Sequence, residues 1–194
     1  MVLAFAYFPV LPLVLLSRLG SACGSDDFFS ACGCFLALFP GKTGSYLRLA
    51  FYRCTLESIS SDVFIGFGSY FSQKGAVVGK YVTIGSYFII GLVTIGDRVL
   101  IASRVSIPSG KRQHALRYEG EYPSEELIFD RVSIGSQCWI GEGTVIMADL
   151  GERCLVSAGS VITRAMPTER IIAGNPARIL PETTAAVSVD VLQK

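Results

Sequence analysis

One imidazole is available to this chain of 194 residues, at His114. It lies within residues 109–131, a polar stretch that also carries Lys111, Arg112, Arg117, Glu119, Glu121, Glu125 and Glu126. Neutral imidazole accepts a proton near neutral pH, so it can act as the general base that activates a hydroxyl. On its own, a lone histidine in a polar segment reads as solvated surface; what surrounds the segment changes that. The six cysteines, Cys23, Cys32, Cys34, Cys54, Cys138 and Cys154, show no CxxC pairing. With a single histidine they form no zinc pattern, and they read as small apolar fillers in a reducing compartment. The net charge of +1 gives no reason to expect a nucleic-acid partner. An apolar content of 51% is enough for a full core in one domain with an appendage.

What positions that polar stretch is a repeat. Ile65-Gly66, Val78-Gly79, Ile84-Gly85, Ile90-Gly91, Ile95-Gly96, Ile101-Ala102 and Ile107-Pro108 precede it; Ile134-Gly135, Ile140-Gly141, Ile146-Met147, Leu150-Gly151, Val156-Ser157 and Ile162-Thr163 follow it. Most steps are six residues. The step from Ile65 to Val78 is thirteen, that from Ile90 to Ile95 is five, and that from Ile146 to Leu150 is shortened. Six matches neither the 3.6 of a helix nor plain alternation, but it matches a parallel β-helix built from hexapeptides. Each unit is then one short strand and one corner, and three units make a coil. The aliphatic residue points inward, contributing about 1.5–3 kcal/mol when buried. The residue after it is small because a larger Cβ would crowd the next coil. A long loop within such a repeat is usually functional.

Ahead of the repeat lie apolar segments. Residues 2–16 are uniformly apolar but interrupted by Pro9 and Pro12, and fall short of the roughly 20 residues of a membrane-spanning helix. No positive charge precedes them, as a signal peptide requires. A second apolar segment, 28–39, follows an expected cap at Ser25 with Asp26 and Asp27 in its first turn, and stops at Pro40-Gly41. A third puts Tyr46, Leu47, Ala50, Phe51 and Cys54 on one side of a helix, with Lys42, Arg48 and Arg53 nearby. Apolar helices edged with basic residues suit a membrane surface. They equally suit covering one end of the body or packing between subunits.

The runs VTIGDRVLIASRVSI, CWIGEGTVI, VSAGSVITR and IIAGNPARIL resemble the hexapeptide-repeat acyltransferases, nearest to the maltose, galactoside and xenobiotic O-acetyltransferases and their relatives in surface-polysaccharide synthesis. The resemblance covers about two thirds of the chain. It implies a left-handed β-helix over residues 58–180, after a helical segment 1–57 and before a tail 181–194. It also implies a homotrimer with acetyl-CoA, the co-substrate, in the groove between neighbouring prisms, and no metal. His114 would be the catalytic base, in the position of the family's histidine-bearing loop. Trp139 would line the acceptor pocket, its alternative being an outward strand residue packed on a neighbour. The backbone N–H of Glu142 would hold the oxyanion. Gly141, Ala158, Thr163, Arg164 and Arg178 would bind the cofactor, Ala158 by leaving room for the pantetheine arm and the two arginines through the phosphates.

Two departures stand out. A family asparagine has no counterpart near Ile89-Ile90-Gly91, and the shortened step after Ile146 is expected to remove part of a coil. The family's sugar-binding N-terminal segment is replaced by the apolar helices. The implied reaction is O-acetylation of a sugar hydroxyl, on a lipid-linked or surface-polysaccharide precursor, at the cytoplasmic face of a membrane touched through residues 1–55. An N-acetyltransferase of amino sugars, or a serine acetyltransferase, is the alternative on the same fold. A γ-type carbonic anhydrase needs three histidines per zinc, and a scaffold without activity would not need His114, Trp139, Ala158 and Arg178 together.

Overall fold

The structure is a computed structural model, and it describes residues 2–110 and 129–181. Helix α1 (Val2–Ala22) runs straight through Pro9 and Pro12, so the expected interruption does not occur. An interior proline costs a helix about 3 kcal/mol. Both rings sit on the exposed side of α1, while Ala6, Val10, Val14 and Ser17 are buried on the other. Tertiary packing, not propensity, holds this helix. Helix α2 (Asp27–Ala37) starts one residue later than expected, with Asp26 at the cap position. The Ser25 hydroxyl still accepts the Asp27 N–H at 3.1 Å and donates to the Asp27 carboxylate at 2.9 Å.

Helix α3 (Gly41–Thr55) buries a broader face than expected. Of the expected residues Ala50 and Phe51 are inside and Leu47 and Cys54 pack against the core, but Ser45, Arg48, Leu49 and Tyr52 are buried too, and Tyr46 is exposed. Arg48 is fully buried and faces no carboxylate among the described residues. Its Nε and Nη2 donate to the Ile65 carbonyl at 3.3 and 3.0 Å. Its Nη1 donates to the Leu36 and Phe39 carbonyls at 3.0 and 2.8 Å. Carbonyls at a helix C-terminus form the negative pole of its dipole, so the end of α2 stands in for an acid. Burial lowers the Arg48 pKa from the ordinary arginine value.

From Ser58 the chain winds into a three-faced prism of about five turns. Face A stacks Ser58–Ile59, Val77–Val78, Val93–Ile95 and Val132–Ile134. Face B stacks Phe64–Ile65, Thr83–Ile84, Leu100–Ile101, Trp139–Ile140, Leu155–Val156 and Ile171–Gly174. Face C stacks Tyr70–Phe71, Ile89–Ile90, Ser106–Ile107, Val145–Ile146 and Val161–Ile162. Strands on each of these stacks pair in parallel. Consecutive strands fall on consecutive faces, as a hexapeptide period requires, and the inward aliphatic columns are buried.

Two irregular steps depart from the repeat. The thirteen residues between Ile65 and Val78 contain a complete face: Phe71 takes the column position there and is fully buried. An aromatic in the column hides the repeat from a search for aliphatics. The shortened step after Ile146 takes two residues out of a coil, as expected, but does not interrupt the face. Leu150 bridges Ile134 on one side and Met166 on the other, so face A continues through single residues. The step from Ile162 to Met166 is shortened in the same way.

The corners have a rule of their own. Tyr81, Tyr87, Arg98, Arg104, Gln137, Arg153 and Glu169 have φ of 55–61°, and each stands three residues before a column residue. Gly68, Gly143 and Gly159 hold the same place elsewhere. A left-handed non-glycine costs of order 1–2 kcal/mol, so the stack imposes this geometry on side chains that resist it. The residue after the column is small for the expected reason. A Cβ on Gly85 would lie 2.5 Å from the Ala102 carbonyl carbon, which is rigid backbone of the next coil. Gly85→Val is therefore expected to lower stability by about 1–3 kcal/mol through overpacking, read as a lower urea midpoint without loss of the β signature in circular dichroism.

The first coil would expose unpaired strand groups; the helices take them. The Ser45 hydroxyl accepts the Ile65 N–H and the Tyr52 phenol oxygen accepts the Phe71 N–H, each at 3.1 Å. The Ala37 carbonyl accepts the Gly68 N–H at 2.9 Å.

Candidate active site

The described chain breaks off after Gly110 and resumes at residue 129, at the corner between faces C and A. The neck is pinned: the Asp130 N–H donates to the Ser109 carbonyl at 3.0 Å, and the buried Ser109 hydroxyl accepts the Leu92 N–H at 2.9 Å. Gly110 has φ +78°, and a Cβ there would lie 2.5 Å from Asp130 Cβ. His114, four residues beyond Gly110, lies outside the described residues, as do the charged residues between 111 and 126.

The same C-to-A edge, further along the prism, carries Thr163 and Arg164. They meet Pro176, Ala177 and Arg178 around a cleft of about 370 Å³. Arg178 arrives from the last strand, Ala177–Ile179, which pairs antiparallel with Ile171–Gly174. Neither Arg164 nor Arg178 forms an ion pair among the described residues. Two unneutralised guanidinium groups at one cleft make an anion site.

The remaining candidates lie on the other edge of face C. Gly141, Glu142 and Ala158 form the corner between faces B and C in successive coils. A Cβ on Gly141 would sit 2.5 Å from the Ala158 amide nitrogen, so this wall is narrow and made of backbone. The Glu142 side chain pairs with Arg104, and its backbone N–H has no acceptor among the described residues. Trp139 is 50% exposed on the outer side of face B, in register between Leu100 and Leu155. With Ile171 these residues form an apolar stripe along that face, and Thr83 separates it from the exposed Phe64. One chain therefore does not bring all the sequence-predicted residues together. Thr163, Arg164, Arg178 and the loop neck occupy one edge; Trp139, Gly141, Glu142 and Ala158 lie across or beyond face C.

A second recess, of about 280 Å³, lies below the loop neck. Asp130, Arg131, Met147, Asp149 and Ala165 line it, and Ala165 adjoins Arg164 of the first cleft. The shortened steps after Ile146 and Ile162 make it, because corners two residues shorter set the wall inward. Sequence reasoning registered the first of these steps but not the hollow it leaves. The Asp149 carboxylate accepts the Ser133 N–H at 2.8 Å, and Arg131 pairs with Glu57 at 2.9 Å.

The cysteines fit the filler reading only in part. Cys32, Cys138 and Cys154 are buried, Cys23 and Cys34 are exposed, and none is in a disulfide. The Cys138 and Cys154 thiols donate to the Gly151 and Pro167 carbonyls, each at 3.1 Å. The hydrogen bond Cys138 shares with Cys154, and then burial, push its thiol pKa far up.

A solenoid of parallel three-stranded coils with this period is the left-handed β-helix of the acetyltransferase structures it resembles. The model of the hexapeptide repeat of succinyl-transferase matches residues 131–164. The galactoside O-acetyltransferase of Escherichia coli is 33% identical over 80 residues, 40% of this chain and 37% of that protein. A hexapeptide-repeat acetyltransferase of Vibrio cholerae, solved with acetyl-coenzyme A, superposes with a TM-score of 0.62 at 25% identity, over 70% of this chain and 75% of that one. The maltose O-acetyltransferase of Clostridium difficile shares the fold, with a TM-score of 0.63 at 24% identity over 79% and 84% of the two chains. The chain carries the hexapeptide repeat and resembles the hexapeptide-repeat acetyltransferases in fold and in local sequence. It aligns with 28% and 37% of the length of two curated relatives.

Proposed function

We propose that this chain is an acetyl-CoA-dependent O-acetyltransferase of a sugar hydroxyl, working as a homotrimer. The observation that carries the reading is the cleft where Arg164 and Arg178 stand unpaired beside Thr163. Two guanidinium groups at one cleft match the phosphates of acetyl-CoA, and the narrow backbone wall at Gly141 and Ala158 on the other edge matches its slender arm. The E. coli relative is named for O-acetylation of a galactoside, which supports a sugar as acceptor.

The split of the candidate residues over two edges is explained if the groove forms between copies. One copy supplies the loop and Thr163, Arg164 and Arg178; the next supplies Trp139, Gly141, Glu142 and Ala158. The apolar stripe on face B is the surface such a neighbour would cover. In the groove His114 takes the proton of the acceptor hydroxyl as its oxygen attacks the thioester carbonyl carbon. The Glu142 N–H donates to the oxyanion that forms. The C–S bond then breaks, and the departing thiolate takes the proton from the imidazolium, leaving the acetyl ester and free CoA. Trp139 offers an apolar wall for the sugar.

The acceptor we favour is a lipid-linked sugar or surface-polysaccharide precursor at the cytoplasmic face of the membrane, which agrees with a thioester donor and free thiols. Assay of CoA thiol release across hydroxyl and amine acceptors tests the reaction; release only with amines would overturn O-transfer. Arg164→Ala and Arg178→Ala are each expected to raise the KM for acetyl-CoA roughly 10–100-fold, as loss of a charge-assisted hydrogen bond predicts, with a smaller change in kcat.

A further inference from the structure

Helices α1 and α2 carry a surface that nothing among the described residues covers. On α1, Phe5, Phe8, Leu11, Leu15 and Leu19 are exposed; on α2, Phe28, Phe35 and Leu38. Arg18 is the only charged residue among the first 25. By length and composition α1 could cross a bilayer, and only 28% of its apolar window is buried in the protein. Its other side is tied down, however. The Cys32 thiol donates to the Leu13 carbonyl at 3.6 Å, and Arg53 donates to the Tyr7 hydroxyl at 2.8 Å. To span a membrane α1 would have to leave α2 and α3.

We propose that this surface lies flat on an anionic lipid bilayer and stands the prism on end, with the donor cleft at the far end. The direction follows from the packing. The helices cap the first coil through Ile65, Gly68 and Phe71. On α2, Phe29, Gly33 and Leu36 face inward, and Phe28, Phe35 and Leu38 occupy the opposite side, away from the coil.

Two features favour lipid over a second copy of the chain. From Phe5 to Leu16 the exposed side of α1 is wholly apolar, with Arg18 and Ser21 only in its last turns, and protein interfaces carry a polar rim; fluid acyl chains need none. The exposed charges are Arg18, Lys42 and Arg53 against Asp27, since Asp26 is paired with Lys74, and a basic margin is drawn to anionic headgroups.

At about 4.8 Å per coil, Trp139 in the fourth coil stands about 14 Å beyond the first. Resting on the acetyl transfer proposed above, this deepens it: the acceptor is a glycolipid whose modified sugar stands well off the bilayer on its headgroup or on further sugars.

The single Trp makes the test direct. The full chain is mixed with phosphatidylcholine–phosphatidylglycerol vesicles carrying brominated acyl chains, which quench indole only near contact. Binding with Trp139 unquenched, and strong quenching of Phe8→Trp in a Trp139→Phe background, is the expected result. Phe8→Glu with Leu15→Glu should weaken binding on the order of 10²-fold with an unchanged melting curve, because both sites are exposed. Quenching of Trp139 would lay the prism on its side and overturn the orientation. No co-sedimentation, or a doubled particle mass without lipid, would overturn lipid docking and make the face an interface between copies. Binding that resists alkaline carbonate would mean that α1 spans. None of these readouts depends on acetyl transfer.

Discussion

Turnover of acetyl-CoA by His114→Ala, with an accepted sugar present, is expected to fall on the order of 10²–10⁴-fold, the usual contribution of a general base. The KM for acetyl-CoA should barely move, because the cleft at Thr163, Arg164 and Arg178 lies coils away from the loop neck. The parent's rate should drop as pH falls, since protonation removes the base. In the variant that dependence should vanish. The split between kcat and KM matters, because a merely structural role for the loop would lower acceptor and donor binding together. Equal rates for parent and variant would take the imidazole out of the mechanism.

Arg48→Met should cost about 3–5 kcal/mol, the range for stripping one partner from a buried charged network. Methionine fills much of the volume but donates nothing. The carbonyls of Ile65 and Phe39 would lose the donor that Arg48 supplies, and that of Leu36 would be left with the Phe39 N–H at 3.3 Å. Urea unfolding followed by circular dichroism measures the loss. Arg48→Lys should recover only part of it, since one ammonium cannot reach carbonyls on both the first coil and the end of α2. A loss below 1 kcal/mol would mean that the helices hold to the prism by apolar packing alone, through Phe29, Phe51, Tyr52 and Phe71.

That arginine shows where reading the chain alone runs out. The prism was legible because its rule is local: one aliphatic inside, one small residue after it, every six positions. Phe71 escaped the rule because an aromatic can stack where an isoleucine usually does. Leu150 escaped it because one bridge residue keeps a face going without a strand. Arg48 looked like surface charge, because nothing near it in the chain says that two carbonyl-rich ends converge on it. Pro9 and Pro12 looked like breaks, because their tolerance depends on which side of α1 meets α3. The cleft residues Thr163, Arg164 and Arg178 were legible as types, but their meeting depends on the last strand doubling back. The recess lined by Met147 and Asp149 had a visible cause in the short step, but its form needed the stack itself.

That doubling back has a further consequence. A pile of parallel coils can in principle grow without limit, since its last layer invites another. On face B the reversed strand Ala177–Ile179 presents the wrong polarity for a further layer, and helices occupy the opposite end. On face B the stack therefore offers no template for a further parallel strand beyond Ala177–Ile179. The strand that turns back also carries Arg178 to the cleft beside Thr163 and Arg164, so the last layer of face B and one wall of that cleft are a single piece of chain.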